Sequence, residues 1–343
     1  MPSTINIGVA DPTATNIAKQ LCDQLIIDHV HVIDCSTPEA QRQHASSLDG
    51  LVTELWFPQP EEAPHLRWIH LLSSGYDHVP ISALSCEGWT ITHGGGTGAV
   101  PMAEWCLSMM LYFTHRVDDI LAYQANRSWY QHRIQDMTAS TLRGATLGIM
   151  GYGAVGRELA RQCKPLGMTI YASCGRSGHA QPLTYTAPET GDTQGELPDH
   201  WFDLNDLYSI LPKCDVVVLG LRSSPKTHQL VNVRFLEQMK RSAILINPAR
   251  GSLIDEAALI QALENQQLRG AALDVFANEP LPANDPLRDA PHLIISPHCS
   301  PESSFYRQQM IECIIKNIQR FIEDQPLFNR IASPPKTSTI TSC

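Results

Sequence analysis

No run of one charge sign interrupts the 343 residues of this chain: 25 basic and 35 acidic side chains are dispersed, for a formal net charge of -10. Without a basic stripe there is no footprint for nucleic acid, and the acidic excess serves solubility. No apolar stretch reaches the length that spans a bilayer, and the amino terminus, MPSTINIGVAD, lacks a charged region followed by a long apolar core. The chain therefore reads as soluble and untargeted, with the cytoplasm as its place and no membrane partner. The 10 cysteines contain no CxxC pair and no zinc-like spacing, which excludes a disulfide framework and reads as buried thiols in a reducing compartment. None of the 14 histidines pairs with another at metal-ligand helical spacing beside a carboxylate, so no metal is expected.

What is present is organised around one stretch, LGIMGYGAVGRELARQCKPLGMTIYASCGRS, residues 147–177. A short apolar run, Leu147 to Met150, reads as a buried strand. It turns through Gly151, Gly153 and Gly156, with Ala154 and Val155 between the last two, and continues at helical spacing to Leu166. A second apolar run, Met168 to Ala172, completes a strand-helix-strand unit, the context in which a GxGxxG match signals dinucleotide binding. Gly151 permits the tight turn, Gly153 lets the backbone approach a pyrophosphate, and Gly156 lets the helix pack on its strand, while the helix N-terminus offers free amides to phosphate.

Length and 43% hydrophobic content predict two domains. Residues 5–9, 29–34, 51–56, 68–72 and 90–93 read as short strands separated by segments such as the helical 15–26, a small parallel-sheet unit that ends at the joint His93-Gly94-Gly95-Gly96. Residues 100–123 read as one long apolar helix, which suits either a core helix or a subunit interface. After the glycine unit, 178–200 is rich in Pro, Thr and Gly and reads as a surface loop. Strand-like runs at 215–219, 243–246, 271–275 and 293–295, with a helix at 256–264, complete a doubly wound sheet. A helix at 304–322 leads to a polar tail, 333–343, read as mobile. The expected fold is α/β, two doubly wound parallel-sheet domains.

Three polar residues follow strands in the second half: Arg250 in INPARG, Glu279 in LDVFANEP and His298 in ISPHCS. Singly they would be a surface charge, a loop carboxylate and a loop imidazole. Ligands of open parallel sheets bind outside the carboxyl ends of the strands, so these residues can converge on one crevice. A histidine to exchange a proton, a carboxylate to orient it and an arginine to grip a carboxylate are the parts of a hydride-transfer site for a 2-oxo or 2-hydroxy acid.

With LRWIHLLSSGYDHV, PMAEW, GYGAVG, MKRSAILINPARGSLIDEAAL, GAALDVFANEPLP and ISPHCS, the chain resembles the D-isomer-specific 2-hydroxyacid dehydrogenases over nearly its whole length. The resemblance implies a Rossmann dinucleotide domain (99–299) inserted into a flavodoxin-like substrate domain (1–98 and 300–332), and a homodimer through the 100–123 helix. It implies that Arg250 binds the substrate carboxylate and carbonyl oxygen, that His298 is the general acid or base, and that Glu279 orients His298. It further implies that Asp274 contacts the nicotinamide, that Ser74 and Gly75 hold the substrate carboxylate with Tyr76 lining the pocket, and that Thr227, Pro248 and Ala249 flank the cofactor.

Departures from the family pattern sharpen the expectation. Cys174 stands where NAD-binding members carry Asp, and Gly175, Arg176 and Ser177 follow. Arg222 replaces a common proline near the adenosine end. These substitutions point to NADP, with NAD as the weaker alternative. Leu71 stands where phosphoglycerate dehydrogenases carry an arginine, and Trp56, Phe57 and Pro58 resemble pocket positions of glyoxylate and hydroxypyruvate reductases. The expected activity is NADP-dependent reduction of a small 2-oxo acid to its (R)-2-hydroxy acid. The alternative is a dinucleotide-sensing, corepressor-like scaffold of the same superfamily.

Overall fold

The computed structural model describes residues 4–11, 16–86, 88–127, 129, 131–132, 137–173 and 184–331. The chain divides into two compact units, Met1–Gly98 with Pro182–Ala187 and Ser303–Cys343, and Ala99–Gln181 with Pro188–Glu302.

In the first unit, β1 (Ile5–Ala10), α1 (Ile17–Gln24), β2 (Val30–Asp34), α2 (Pro38–His44), β3 (Gly50–Thr53), β4 (Trp68–Leu71), α3 (Ile81–Cys86) and β5 (Thr90–His93) alternate. The five strands are parallel, in the order β2-β1-β3-β4-β5, which is the flavodoxin order. Strands β3 and β4 are buried throughout, as parallel strands covered on both faces must be. β3 stops at Thr53 rather than running to Trp56, because the Thr53 hydroxyl accepts the Trp56 N–H at 3.1 Å and donates to the Trp56 carbonyl at 3.0 Å, folding the chain into a turn.

The second unit opens with α4 (Ala99–Thr114) and α5 (Val117–Asn126). Expected as one helix, this stretch breaks at Arg116, which takes a left-handed φ of 55°. The Thr114 hydroxyl donates back to the Met110 carbonyl at 2.9 Å, and Asp118 and Asp119 favour a new helix N-terminus. There follow β6 (Thr146–Met150), α6 (Ala154–Cys163), β7 (Thr169–Ser173), β8 (His200–Phe202), the single turn α7 (Leu207–Ile210), β9 (Val216–Leu219), α8 (Val233–Gln238), β10 (Ile244–Asn247), α9 (Glu256–Glu264), β11 (Gly270–Leu273) and β12 (Leu293–Ile295). All seven strands are parallel, in the order β12-β11-β10-β9-β6-β7-β8, so the direction of winding reverses between β6 and β9. The chain then returns to the first unit as α10 (Ser304–Ile322), whose buried Ile311, Ile314 and Ile318 pack with Ile7, Val9 and Trp68.

The loop expected at 178–200 is a loop where it is described before β8, but one anchored by buried residues. Tyr185 is buried, donating its backbone N–H to Asn329 at 2.9 Å and its hydroxyl to Gln309 at 2.7 Å. Further on, Asp192 is a buried anchor for its own loop, accepting from the amides of Gly195, Glu196 and Leu197 at 3.0 Å each.

Candidate active site

The reversal between β6 and β9 leaves a crevice at the carboxyl ends of the strands, and the glycine turn lies in it. Gly151 has a φ of 100°, and a Cβ there would lie 2.6 Å from the Gly220 carbonyl oxygen, so two glycine backbones meet at the switch point. Gly220 was not singled out from the sequence; its place directly after the VVVL run of β9 is the only signal it carries. At Gly156 a Cβ would meet Ile149 Cγ2 and the Gly151 oxygen at 2.8 Å, which is the close helix-on-strand packing expected. Gly153 differs: a Cβ there would meet nothing within 4 Å. Helices α8, α9 and α10 each use a side chain of Asn232, Asp255 or Ser303 to cap their first turn, whereas α6 is capped by Gly153 without one. The first turn of α6, Ala154 to Gly156, therefore has no side-chain cap and begins beside open space at Gly153, where a pyrophosphate fits.

The turn is braced from below. The Gly151 N–H donates to Ser173 Oγ at 2.7 Å, and the Tyr152 hydroxyl donates to Asp192 at 2.6 Å. Arg157 lies over the Tyr152 ring and donates to the Asp192 carbonyl. Burial works against the Asp192 charge, yet the bonds from Tyr152, Leu197 and Glu196 hold its carboxyl below its ordinary range.

Arg250, Glu279 and His298 follow β10, β11 and β12, three adjacent strands. Glu279 Oε2 lies 2.7 Å from His298 Nδ1, and Oε1 accepts the Phe276 N–H at 2.9 Å, so the carboxylate is fixed at both oxygens. His298 is half-exposed, with Nε2 left for a reacting partner. Its backbone has a φ of 52°, held by donation of its N–H to the Asp274 carbonyl at 2.8 Å. The Asp274 carboxylate, wholly buried, accepts from Ser296 Oγ at 2.5 Å, Cys299 N at 2.9 Å and Ser300 N at 2.8 Å. Asp274 thereby clamps the histidine loop, a function the sequence did not reveal. Burial raises the neighbouring Cys299 thiol above its ordinary pKa, so it stays protonated.

Arg250 is partly buried, with Nη1 donating to the Ala249 carbonyl at 2.7 Å. Asn247 shapes this turn by accepting the Ala249 N–H at 3.0 Å and donating to the Arg250 carbonyl at 2.8 Å. Pro248 is buried in it. Thr227, also buried, donates to the Arg222 carbonyl at 2.7 Å, while Arg222 itself is exposed. In the first unit, Ser74 is exposed and donates through Oγ to the Gly94 carbonyl at 2.9 Å, and the Tyr76 ring packs edge-on to His93 at 5.0 Å. Cys174, Gly175, Arg176 and Ser177 lie outside the described residues.

The family described as D-isomer specific 2-hydroxyacid dehydrogenase, NAD binding domain, matches residues 107–300. The chain belongs to the D-isomer specific 2-hydroxyacid dehydrogenases. It is 30% identical over 262 residues to a glyoxylate reductase of Thermofilum pendens, covering 75% of this chain and 72% of that protein. A glycerate dehydrogenase of Methylorubrum extorquens is 30% identical over 271 residues, 78% of this chain and 79% of its own. Among solved structures, a D-isomer specific 2-hydroxyacid dehydrogenase family protein from Aeromonas salmonicida superposes with a TM-score of 0.78 at 27% identity, over 97% of this chain and 99% of that one. Members of this family are NAD(P)-dependent oxidoreductases of hydroxyacids, and this dehydrogenase shares their two parallel-sheet units. No helix among its described residues is long and apolar enough to cross a membrane.

Proposed function

We propose that this dehydrogenase reduces a 2-oxo acid to its (R)-2-hydroxy acid with NADPH, and that His298 supplies the proton. The observation that carries this reading is the 2.7 Å pairing of His298 Nδ1 with a Glu279 carboxylate that is itself pinned by the Phe276 amide. A carboxylate on Nδ1 fixes the tautomer and ring orientation, so that Nε2 is the nitrogen that donates to the developing alkoxide. Glu279 positions His298. Arg250 grips the substrate carboxylate and stabilises charge on the carbonyl oxygen. From the family resemblance, Ser74, Gly75 and Tyr76 are the substrate-binding residues proposed in the first unit.

The dinucleotide supplies the hydride when bound. Gly151, Gly153, Ala154, Val155 and Gly156 would hold its pyrophosphate, with Thr227, Pro248, Ala249 and the Asp274 loop flanking the nicotinamide half. Preference for the 2′-phosphate rests on Arg176, with Gly175 and Ser177 beside it, on Cys174 in place of an acid, and on Arg222 as a further cation. An NADPH-dependent glyoxylate/hydroxypyruvate reductase from Sinorhizobium meliloti, of the same fold at 22% identity, was solved with NADP. The reading includes a cytoplasmic homodimer built on α4 and α5, where Leu111, Ile120 and Leu121 are 40%, 45% and 53% exposed.

The relatives named above are enzymes, which favours catalysis over a scaffold function. A steady-state screen of 2-oxo acids with NADPH and with NADH, using the purified chain alone, tests the reading. Turnover without any partner protein supports it; no turnover with any 2-oxo acid overturns it.

A further inference from the structure

A cavity of about 610 Å³ adjoins the His298–Glu279 pair within the second unit. Phe276, Leu281 and Ile295 give it apolar walls, and Arg288 is the cation that lines it. The Arg288 guanidinium is fixed by two backbone acceptors, Nε donating to the Pro282 carbonyl at 2.7 Å and Nη2 to the Leu281 carbonyl at 2.8 Å. Both acceptors are neutral. No carboxylate pairs with Arg288 among the described residues, unlike Arg116, Arg161 and Arg269, each of which meets an acid. An exposed cation oriented by two hydrogen bonds and paired with no acid among the described residues, in a hollow beside a proton-transfer pair, is suited to receive an anion.

The strand order gives the hollow its place along a substrate. Arg250 follows β10, Glu279 follows β11 and His298 follows β12, the edge strand. Neighbouring strands lie ~4.8 Å apart, so roughly 10 Å separates the end of β10 from that of β12. His298 itself lines the cavity, so a 2-oxo acid with its C1 carboxylate on Arg250 and its C2 oxygen at His298 has the cavity within reach of its remaining carbons.

We infer that Arg288 reads a second, distal carboxylate, so that the preferred substrates are 2-oxo diacids of four or five carbons whose methylenes lie against Phe276, Leu281 and Ile295. This inference rests on the proposed reduction of 2-oxo acids and names the substrate class of that same site. It accounts for an arginine among apolar walls beside the His298–Glu279 pair, which neither glyoxylate nor an aliphatic monoacid would use.

Matched pairs of equal chain length test it: oxaloacetate against 2-oxobutyrate, and 2-oxoglutarate against 2-oxovalerate, each with NADPH. The wild-type enzyme is expected to favour the diacid in kcat/KM by about tenfold or more, the range of one charge-assisted hydrogen bond. In Arg288→Met that diacid-to-monoacid ratio collapses toward one, and in Arg288→Lys it falls part of the way. A merely structural tie of Arg288 to the 281–282 backbone would lower both substrates together, so an unchanged ratio overturns the inference. Wild-type preference for the monoacids, or for phosphohydroxypyruvate over both diacids, overturns it without a variant. Turnover of monoacids alone would leave the parent reading standing, whereas inactivity toward every 2-oxo acid would remove both.

Discussion

Gly251 lies with its backbone hard against Phe276: a Cβ at position 251 would fall 1.8 Å from the Phe276 carbonyl carbon. The turn that carries Arg250 thus touches the turn whose Phe276 amide holds Glu279, and the absence of one side chain sets the spacing of the site. Gly251→Ala would have to push the two turns apart. A loss of about 3 kcal/mol in unfolding free energy is expected, at the upper end of overpacking costs, together with reduced turnover. Denaturant melts and steady-state kinetics on the same preparation check this, and an alanine variant of wild-type stability and rate would show that the turns have room.

Much of this arrangement was legible in the sequence. The GYGAVG turn, the helices at 256–264 and 304–322 and the strand at 293–295 stand where their patterns place them, because each is dictated by local spacing, and the two helices also by a capping side chain. Other features depended on residues far along the chain. Tyr185 sits in a Pro- and Thr-rich stretch, and what buries it is Asn329, 144 positions away, with Gln309, 124 away. The break between α4 and α5 lies at the left-handed Arg116, just after a bond from the Thr114 hydroxyl to the Met110 carbonyl, and hydrophobic periodicity reports neither. Asp274 lies in a motif that invites a cofactor contact; its three bonds to Ser296, Cys299 and Ser300 become visible only with the loop folded over it.

The proposed preference for NADPH rests on a missing acid and a present arginine. Cys174 offers the ribose hydroxyls no carboxylate, and Arg176 follows two positions later. A charge-assisted bond to the 2′-phosphate contributes ~2 kcal/mol, more than a tenfold preference. Comparing kcat/KM for NADPH and NADH in the wild type and in Arg176→Ala should show that preference and its loss. A wild-type enzyme that favours NADH, or a variant that still favours NADPH, contradicts the assignment.

His70 provides a test of the first unit. It is fully buried on β4, with Nδ1 at 2.8 Å from Thr92 Oγ1. Burial, reinforced by the charge of His93, lowers its pKa from 6.5 to about 3. Between those values the unfolded chain binds a proton at this position and the folded chain does not. Stability must therefore fall as pH drops from 6.5 toward 3, by up to ~1.4 kcal/mol per pH unit from this residue. Unfolding measured across that window should be less steeply pH-dependent in His70→Asn, which keeps a polar atom near Nδ1 without the titration. Parallel curves for the two proteins would rule the histidine out as a cause.

The most direct test of the account is the reduction of hydroxypyruvate and oxaloacetate by NADPH, followed through the nicotinamide absorbance with chiral analysis of the products, in wild type, His298→Ala and Glu279→Gln. The account predicts (R)-2-hydroxy acids from the wild type, a loss of kcat of about a hundredfold or more in His298→Ala, the usual scale of general acid catalysis, and a smaller loss of kcat in Glu279→Gln, which leaves the imidazole present but less firmly oriented. An (S)-product, or a His298→Ala enzyme that keeps its rate, would contradict it.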